Sequence, residues 1–241
     1  MDVPNEAIAA MARSTSRAKR KATVSLPIAY VKRADPTPTA AMLLQSHELR
    51  LKLHITLVMQ ATSAPHTIPD RPTRSLARLM ALLPETGPRR AGEAMKFLKA
   101  KQLIKPQRLS DGRPGLLVLH PDGSGAPIEG YGSRYVGVPI ALWEKKWILR
   151  LSGRAVAVLL ALLELTGGRT SHPDGELMDG YRKRQYGLSD DTWTRATKEL
   201  ERFGILRTTN VTWGDDDYEI RRRKRYLVSK EALEADPTWA D

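Results

Sequence analysis

The chain contains no cysteine, and only two of its 241 residues are phenylalanine. The lack of cysteine excludes disulfides, thiolate catalysis and thiolate-bound zinc or iron–sulfur clusters. Because phenylalanine is scarce, any core must be built from Leu, Ile, Val, Ala and a few Trp. The longest apolar run, residues 155–163, is too short to cross a bilayer, so it predicts a core helix and no membrane partner.

Other chemical signals are also missing. His47 and His54 lie too far apart on one predicted helix for a paired metal site, and no Gly-Lys-Ser/Thr phosphate loop is present. We therefore expect no catalytic residues, no metal, no cofactor and no enzymatic activity. The N-terminus has no apolar signal stretch, and Asp2 and Glu6 are unlike a transit peptide, which predicts a cytoplasmic protein, nucleoid-associated when bound.

The charge balance is strongly basic. The chain has 39 Lys and Arg against 27 Asp and Glu, which gives a net charge of +12 and a pI of about 10.0. This imbalance favours a polyanionic partner, namely DNA, RNA or an acidic membrane surface.

Composition divides the chain into five parts. Residues 1–23 predict a flexible basic tail, which is either a phosphate-contacting arm or a solubilising segment. Gly, Ser and Pro mark 122–133 as a linker between a first domain at 24–121 and a second at 134–230. Residues 231–241 form a C-terminal tail, and the two domains are expected to fold independently.

The two domains resemble each other. Residues 24–30 (VSLPIAY) return as 136–142 (VGVPIAL), an apolar helix follows in each, and 94–105 then match 196–207. Three matches in the same order indicate an internal duplication.

The sequence of each repeat predicts three helices followed by a β-hairpin. The predicted helices are 46–62, 73–83 and 88–101 in the first repeat, and 152–165, 176–186 and a helix capped by Ser189 that ends at Arg202 in the second. The hairpins follow, from 103 to 119 and as strands 205–211 and 218–228. This order is that of a winged helix, so the expected fold is mainly α with small β-hairpins (α+β), as two winged-helix domains in tandem.

Residues 136–207 carry the clearest family pattern. This segment resembles bacterial winged helix-turn-helix proteins in three features. They are Val-Pro-Ile-Ala-Leu, a helix opened by Leu-Ser-Gly, and Gly-Leu-Ser-x-x-Thr-x-x-x-Ala-x-x-Glu-Leu-x-x-x-Gly-Ile-Leu. The pattern is similar to the N-terminal domains of plasmid replication initiators, some of which carry two winged helices. The resemblance implies DNA binding, in replication initiation or in transcription regulation.

On the third helices, helical spacing predicts that Ala91, Ala94, Met95 and Leu98 in the first repeat, and Trp193, Ala196, Thr197 and Leu200 in the second, face the core. The opposite faces, which include Glu93 and Glu199, are predicted to be exposed. These faces and the hairpins supply the candidate contacts, because Arg and Lys can donate to guanine and to phosphates. The candidate DNA-binding residues are Arg89, Arg90, Lys96, Arg108, Arg113, Thr192, Arg195, Lys198, Arg202, Arg221, Arg223 and Arg225. Asp215, Asp216 and Asp217 would repel phosphate at the tip of the second hairpin, so the first hairpin is the better candidate for insertion.

The sequence therefore predicts a sequence-specific double-stranded DNA-binding protein that regulates transcription or initiates replication of a bacterial mobile element. An RNA-binding or ribosome-associated basic protein is the alternative, an enzyme with dispersed, unrecognisable active-site residues is a third hypothesis, and a homodimer is left open. Single-strand readers expose aromatic side chains on a sheet, whereas Trp193 is predicted to face the core.

Overall fold

The computed structural model describes residues 3–33, 36–45, 47–130, 134–167, 175–213 and 221–237. These residues form a mixed α+β fold with small antiparallel sheets. No helix within the described ranges is long and apolar enough to cross a membrane.

The elements of the first repeat follow an N-terminal helix. In chain order they are α1 (Asn5–Ala18), β1 (Thr23–Pro27), α2 (Ile28–Val31), α3 (Thr39–Leu44), α4 (Glu48–Gln60), β2 (Thr67–Pro69), α5 (Thr73–Leu79), α6 (Gly87–Ala100), β3 (Ile104–Arg108) and β4 (Pro114–Val118).

The second repeat has nearly the same order. Its elements are β5 (Tyr135–Pro139), α7 (Ala141–Glu144), α8 (Trp147–Arg150), α9 (Gly153–Leu165), β6 (Glu176–Met178), α10 (Gly180–Gln185), α11 (Asp190–Arg202), β7 (Leu206–Trp213), β8 (Arg221–Val228) and α12 (Lys230–Glu234).

Each repeat builds its own three-stranded sheet, and the strand order is the same in both. The orders are β2-β4-β3 and β6-β8-β7, all antiparallel. The central strand is β4 in the first repeat and β8 in the second. Each pairs with its hairpin partner, β3 or β7, on one side and with the short strand β2 or β6 on the other.

A third sheet joins the repeats. β1 pairs with β5, and Ser25 lies opposite Gly137, its equivalent when 24–30 are aligned with 136–142. The register is therefore symmetric about this pair, with Val24 opposite Val138 and Leu26 opposite Val136. The ribbon thus relates the two repeats by a local two-fold axis.

The core is continuous across the repeats. The apolar helices α4 and α9 pack on each other, and buried residues of both repeats belong to one cluster. The indole N–H of Trp143 donates to Thr56 Oγ1 across this boundary at 3.1 Å. The halves expected to fold independently share both a sheet and a core in the described residues.

The ends of the chain differ from the flexible basic tail predicted for residues 1–23 and the C-terminal tail predicted for residues 231–241. Residues 5–18 form α1, whose Met11 is fully buried, and the Arg20 guanidinium donates to the carbonyls of Val58, Met59 and Ala61 at 3.1–3.3 Å. These carbonyls belong to the end of α4, where helical partners are lacking, so Arg20 ties α1 to α4. The C-terminal tail likewise begins in α12, which buries Leu233.

The predicted helices 88–101, 152–165 and 190–202 match α6, α9 and α11 to within one residue. The predicted helix 176–186 is instead β6 followed by α10. Leu177 is drawn into the sheet because it pairs with Arg225 of β8, and Asp179 caps α10 by accepting from the Arg182 N–H at 2.7 Å.

The predicted linker 122–133 is ordered over the part that the structure describes. Asp122 accepts a hydrogen bond from the Ser124 N–H at 2.9 Å, and the Ile128 side chain is buried against the core. Residues 131–133 lie outside the described ranges.

Candidate nucleic-acid interface

Helix α11 begins at a capped turn. The Ser189 Oγ accepts from the Thr192 N–H at 3.2 Å, and the carboxylates of Asp190 and Asp191 lie in the first turn, where the helix dipole favours anions. Trp193 is buried between Tyr186 and Tyr226, with ring centroids 5.9 and 6.4 Å away. The core face expected for this helix, Trp193, Ala196, Thr197 and Leu200, is confirmed.

The opposite face of α11 is exposed and largely basic. Arg195, Lys198 and Arg202 are exposed, whereas Thr192 is half-buried in the cap. Arg195 pairs with Asp191, one turn earlier, at 2.8 Å. Such an exposed pair contributes only a few tenths of a kcal/mol, so the guanidinium can exchange this partner for a stronger one.

Glu199 does not belong to the exposed face, although the sequence placed it there. Its carboxylate accepts from the Ser152 backbone N–H at 2.6 Å and from the Ser152 hydroxyl at 2.5 Å. Ser152 is the N-cap of α9, and its Oγ accepts from the Ala155 N–H. Glu199 therefore fixes α11 to the start of α9 instead of facing solvent.

Helix α6 has the matching arrangement in the first repeat. Its expected core residues, Ala91, Ala94, Met95 and Leu98, are buried. Arg89, Arg90 and Lys96 are exposed, and Arg89 pairs with Glu93 at 2.7 Å. Two helices in corresponding places of the two repeats thus expose basic faces.

The two predicted arginines of the first hairpin contact its own turn. Arg108 donates to the Gly112 carbonyl at 2.9 Å, and Arg113 Nη2 lies 2.6 Å from Asp111. The side-chain hydrogen bond from Arg113 lowers the pKa of the Asp111 carboxyl, and that carboxylate offsets the charge of Arg113. Arg108 is the more available of the two cations.

The second hairpin places arginines on the outer side of its sheet. Tyr226 and Val228 of β8 are buried, so Arg223 and Arg225 point to the other face. Arg223 is exposed, whereas Arg225 is half-buried and its Nε has no hydrogen-bond partner in the described part of the chain. The side chain of Arg221 and the residues Asp215, Asp216 and Asp217 lie outside the described residues.

Helix α10 adds residues that the sequence analysis missed. Tyr181 is 65% exposed and Arg184 lies over its ring at 5.9 Å. Lys183 lies over the Trp193 ring at 5.7 Å and near Asp190 at 3.9 Å, so it links α10 to α11. The signal was the run of residues 181–184 (YRKR), which the overlong predicted helix obscured.

A partly buried polar junction joins the start of α9 to α4 of the first repeat. Glu48 accepts from the Gly153 N–H at 2.8 Å and from Arg154 at 2.9 Å, and Lys52 donates to the Leu151 carbonyl at 2.8 Å. Burial lowers the pKa of Lys52 to about 8, although the negative charges of Glu48 and, to a smaller extent, Glu199 act to raise it.

The described residues contain no group of three or more His, Asp or Glu side chains that could hold a metal ion. The buried His54 bonds to the Tyr30 hydroxyl at 3.0 Å, and burial lowers the pKa of its imidazole to about 3. It is a neutral core residue.

Comparison with known proteins returned no match: no protein-family model, curated protein or solved structure is similar to this chain.

Proposed function

We propose that the chain is a non-enzymatic, sequence-specific double-stranded DNA-binding protein built from two winged helices. In this proposal α6 and α11 are the recognition helices, and the β3–β4 and β7–β8 hairpins are the wings. The protein would act in the cytoplasm, on the nucleoid, in transcription regulation or in replication initiation of a bacterial mobile element.

One observation carries the proposal. In each repeat an exposed basic helix directly precedes a hairpin in the chain. In each three-stranded sheet the last strand in chain order lies between the other two. A helix, a short strand, two further helices and a hairpin in this sheet order are the parts of a winged helix. The third helix of such a unit presents its outward face to the major groove.

The charge distribution supports a nucleic-acid partner. The net charge is +12, and the outward residues of α6, α10 and α11 include most of the candidate cations described above. Lysine and arginine contacts to phosphates supply affinity by releasing counterions, and arginines on base edges supply specificity.

The same features favour duplex DNA over single-stranded RNA. The fully buried Trp143 and Trp193 are unavailable for stacking on bases, and the exposed Tyr135 and Tyr181 lie on different elements, the strand β5 and the helix α10. A single-strand reader needs neighbouring exposed aromatics on one sheet.

The test is selection of bound sequences from a random duplex library, followed by titration. We expect an enriched motif, preference for duplex over the same sequence as single strands, and a steep salt dependence. If six to ten phosphates are contacted, affinity should fall about 10³–10⁵-fold between about 50 and 200 mM salt. Preference for single strands would favour the RNA-binding alternative.

A further inference from the structure

A second basic surface lies outside the proposed recognition helices. It consists of Arg13 and Arg17 on α1 together with Arg71 and Arg74 at the start of α5, and it is called the α1–α5 basic face below. Arg13, Arg17 and Arg74 are exposed, and Arg71 is half-buried. Helix α1 packs directly on α5, and Arg17 of α1 is close enough to Arg71 for its charge to act on that guanidinium.

The cations of this face repel one another. Arg13 and Arg17 are one helical turn apart, a spacing at which like charges destabilise a helix. Burial, and then the charge of Arg17, lower the pKa of Arg71. In the described residues none of the four forms an ion pair, whereas the neighbouring Arg78 does so with Glu6 at 3.2 Å. A carboxylate thus stands beside the face without neutralising it.

The face is continuous with the proposed recognition surface. A Cβ added to Gly92 of α6 would lie 3.5 Å from Cγ2 of Thr73, the first residue of α5. Thr73, which lies between Arg71 and Arg74 in sequence, therefore lies beside the middle of α6. Packed helices lie about 8–10 Å apart, which is comparable to the width of the major groove, about 12 Å, so a helix packed beside α6 would lie near the phosphates that flank the groove.

We propose that the α1–α5 basic face binds the phosphate backbone of duplex DNA beside the groove that α6 enters. This inference rests on the proposed function, and it assigns α1 a role in DNA binding. A duplex supplies a row of anions that relieves the repulsion among the four arginines. Contacts to phosphate fix the register of the protein on DNA and carry no base information. Arg13 and Arg17 are carried by a packed helix, so the backbone that positions them is already ordered before binding.

The experiment uses the full chain with Arg17→Gln and Arg13→Gln, singly and together. Each lost phosphate contact should reduce the slope of log affinity against log salt by about 0.9, which is about five- to ten-fold in affinity at about 0.1 M salt. The loss should be equal on the selected duplex and on a scrambled one. Arg17→Lys should retain most of the affinity, because a phosphate contact requires charge more than shape.

Lys230→Gln is the matched control. It removes one exposed positive charge that already pairs with Glu234 at 3.7 Å, so it should leave the slope nearly unchanged. Thermal melts should show that Arg17→Gln folds normally, since the Arg17 side chain is exposed and forms no ion pair with the described residues.

The possible results separate the two proposals. Normal duplex binding by the unaltered chain, with an unchanged slope in the double variant, overturns the role of this face and leaves the proposed function standing. A double variant that loses binding only to vesicles of anionic phospholipid also overturns it and indicates a membrane surface. Failure of the unaltered chain to bind any duplex overturns both.

Discussion

Gly153, the first residue of α9, lies directly against Glu48, the first residue of α4. The Gly153 N–H donates to the Glu48 carboxylate at 2.8 Å, and a Cβ added to Gly153 would lie 2.5 Å from the Cβ of Glu48. The positive ends of two corresponding helices therefore meet at the boundary between the repeats. The carboxylates of Glu48 and Glu199 stabilise this arrangement, because each accepts hydrogen bonds at the start of α9.

The close approach at Gly153 gives the first prediction. Alanine is normally the better residue within a helix, but in Gly153→Ala the methyl group would collide with Glu48 Cβ and backbone. Overpacking of this kind costs about 1–3 kcal/mol. We therefore expect a lower free energy of unfolding in urea titrations.

Gly180→Ala is the matched control, since Gly180 also begins a helix and a Cβ there would meet only the end of Arg184 at 3.8 Å. It should be neutral or slightly stabilising. Equal stability of Gly153→Ala and the unaltered chain would show that α4 and α9 do not meet as described.

Lys52 gives a pH-dependent prediction at the same junction. Burial lowers its pKa to about 8 from the ordinary value of 10.5, so between these pH values the unfolded chain binds more protons than the folded one. Stability then rises with pH in that window. Relative to Lys52→Met, the unaltered chain should gain about 1–3 kcal/mol of unfolding free energy from pH 8 to 10.5.

The measurement is urea denaturation at several pH values, with the difference between the two chains plotted against pH. Lys230→Met removes an exposed ammonium and should give no such trend. A difference for Lys52→Met that is constant from pH 8 to 10.5 would mean that the Lys52 ammonium remains solvated.

Local signals in the sequence were sufficient for α6, α9 and α11. Ser152 and Ser189 precede their helices and do cap them, and the apolar spacing of Trp193 and Leu200 identified the buried face of α11. Capping and periodicity act within a few residues, so they can be read without the fold.

Features that depend on distant partners could not be predicted in this way. Leu177 enters a strand because β8 provides a partner, and Glu199 turns inward because Ser152 lies beside it. Arg20 was assigned to a tail, although it caps α4 about forty residues away in sequence. No local pattern distinguishes a solvated arginine or glutamate from one with such a partner.

The last prediction separates binding from packing on α11. Arg195 is exposed and pairs with Asp191, whereas Leu200 is fully buried. Arg195→Ala should change stability by less than about 0.5 kcal/mol and should weaken specific DNA binding by about 1–3 kcal/mol if the guanidinium reads a base. Leu200→Ala should instead destabilise the protein by about 2–5 kcal/mol, because it removes buried surface and leaves a cavity.

Both variants are measured by thermal melting and by titration on selected and scrambled duplexes. Lys198→Ala, an exposed neighbour on α11, distinguishes a base contact from a phosphate contact: loss on both duplexes indicates phosphate, and loss on the selected duplex alone indicates a base. An Arg195→Ala protein that melts normally and binds the selected duplex with unchanged affinity would remove Arg195 from the interface. If Lys198→Ala is also silent, α11 is not a recognition helix, and DNA binding would have to depend on α6 and the first repeat.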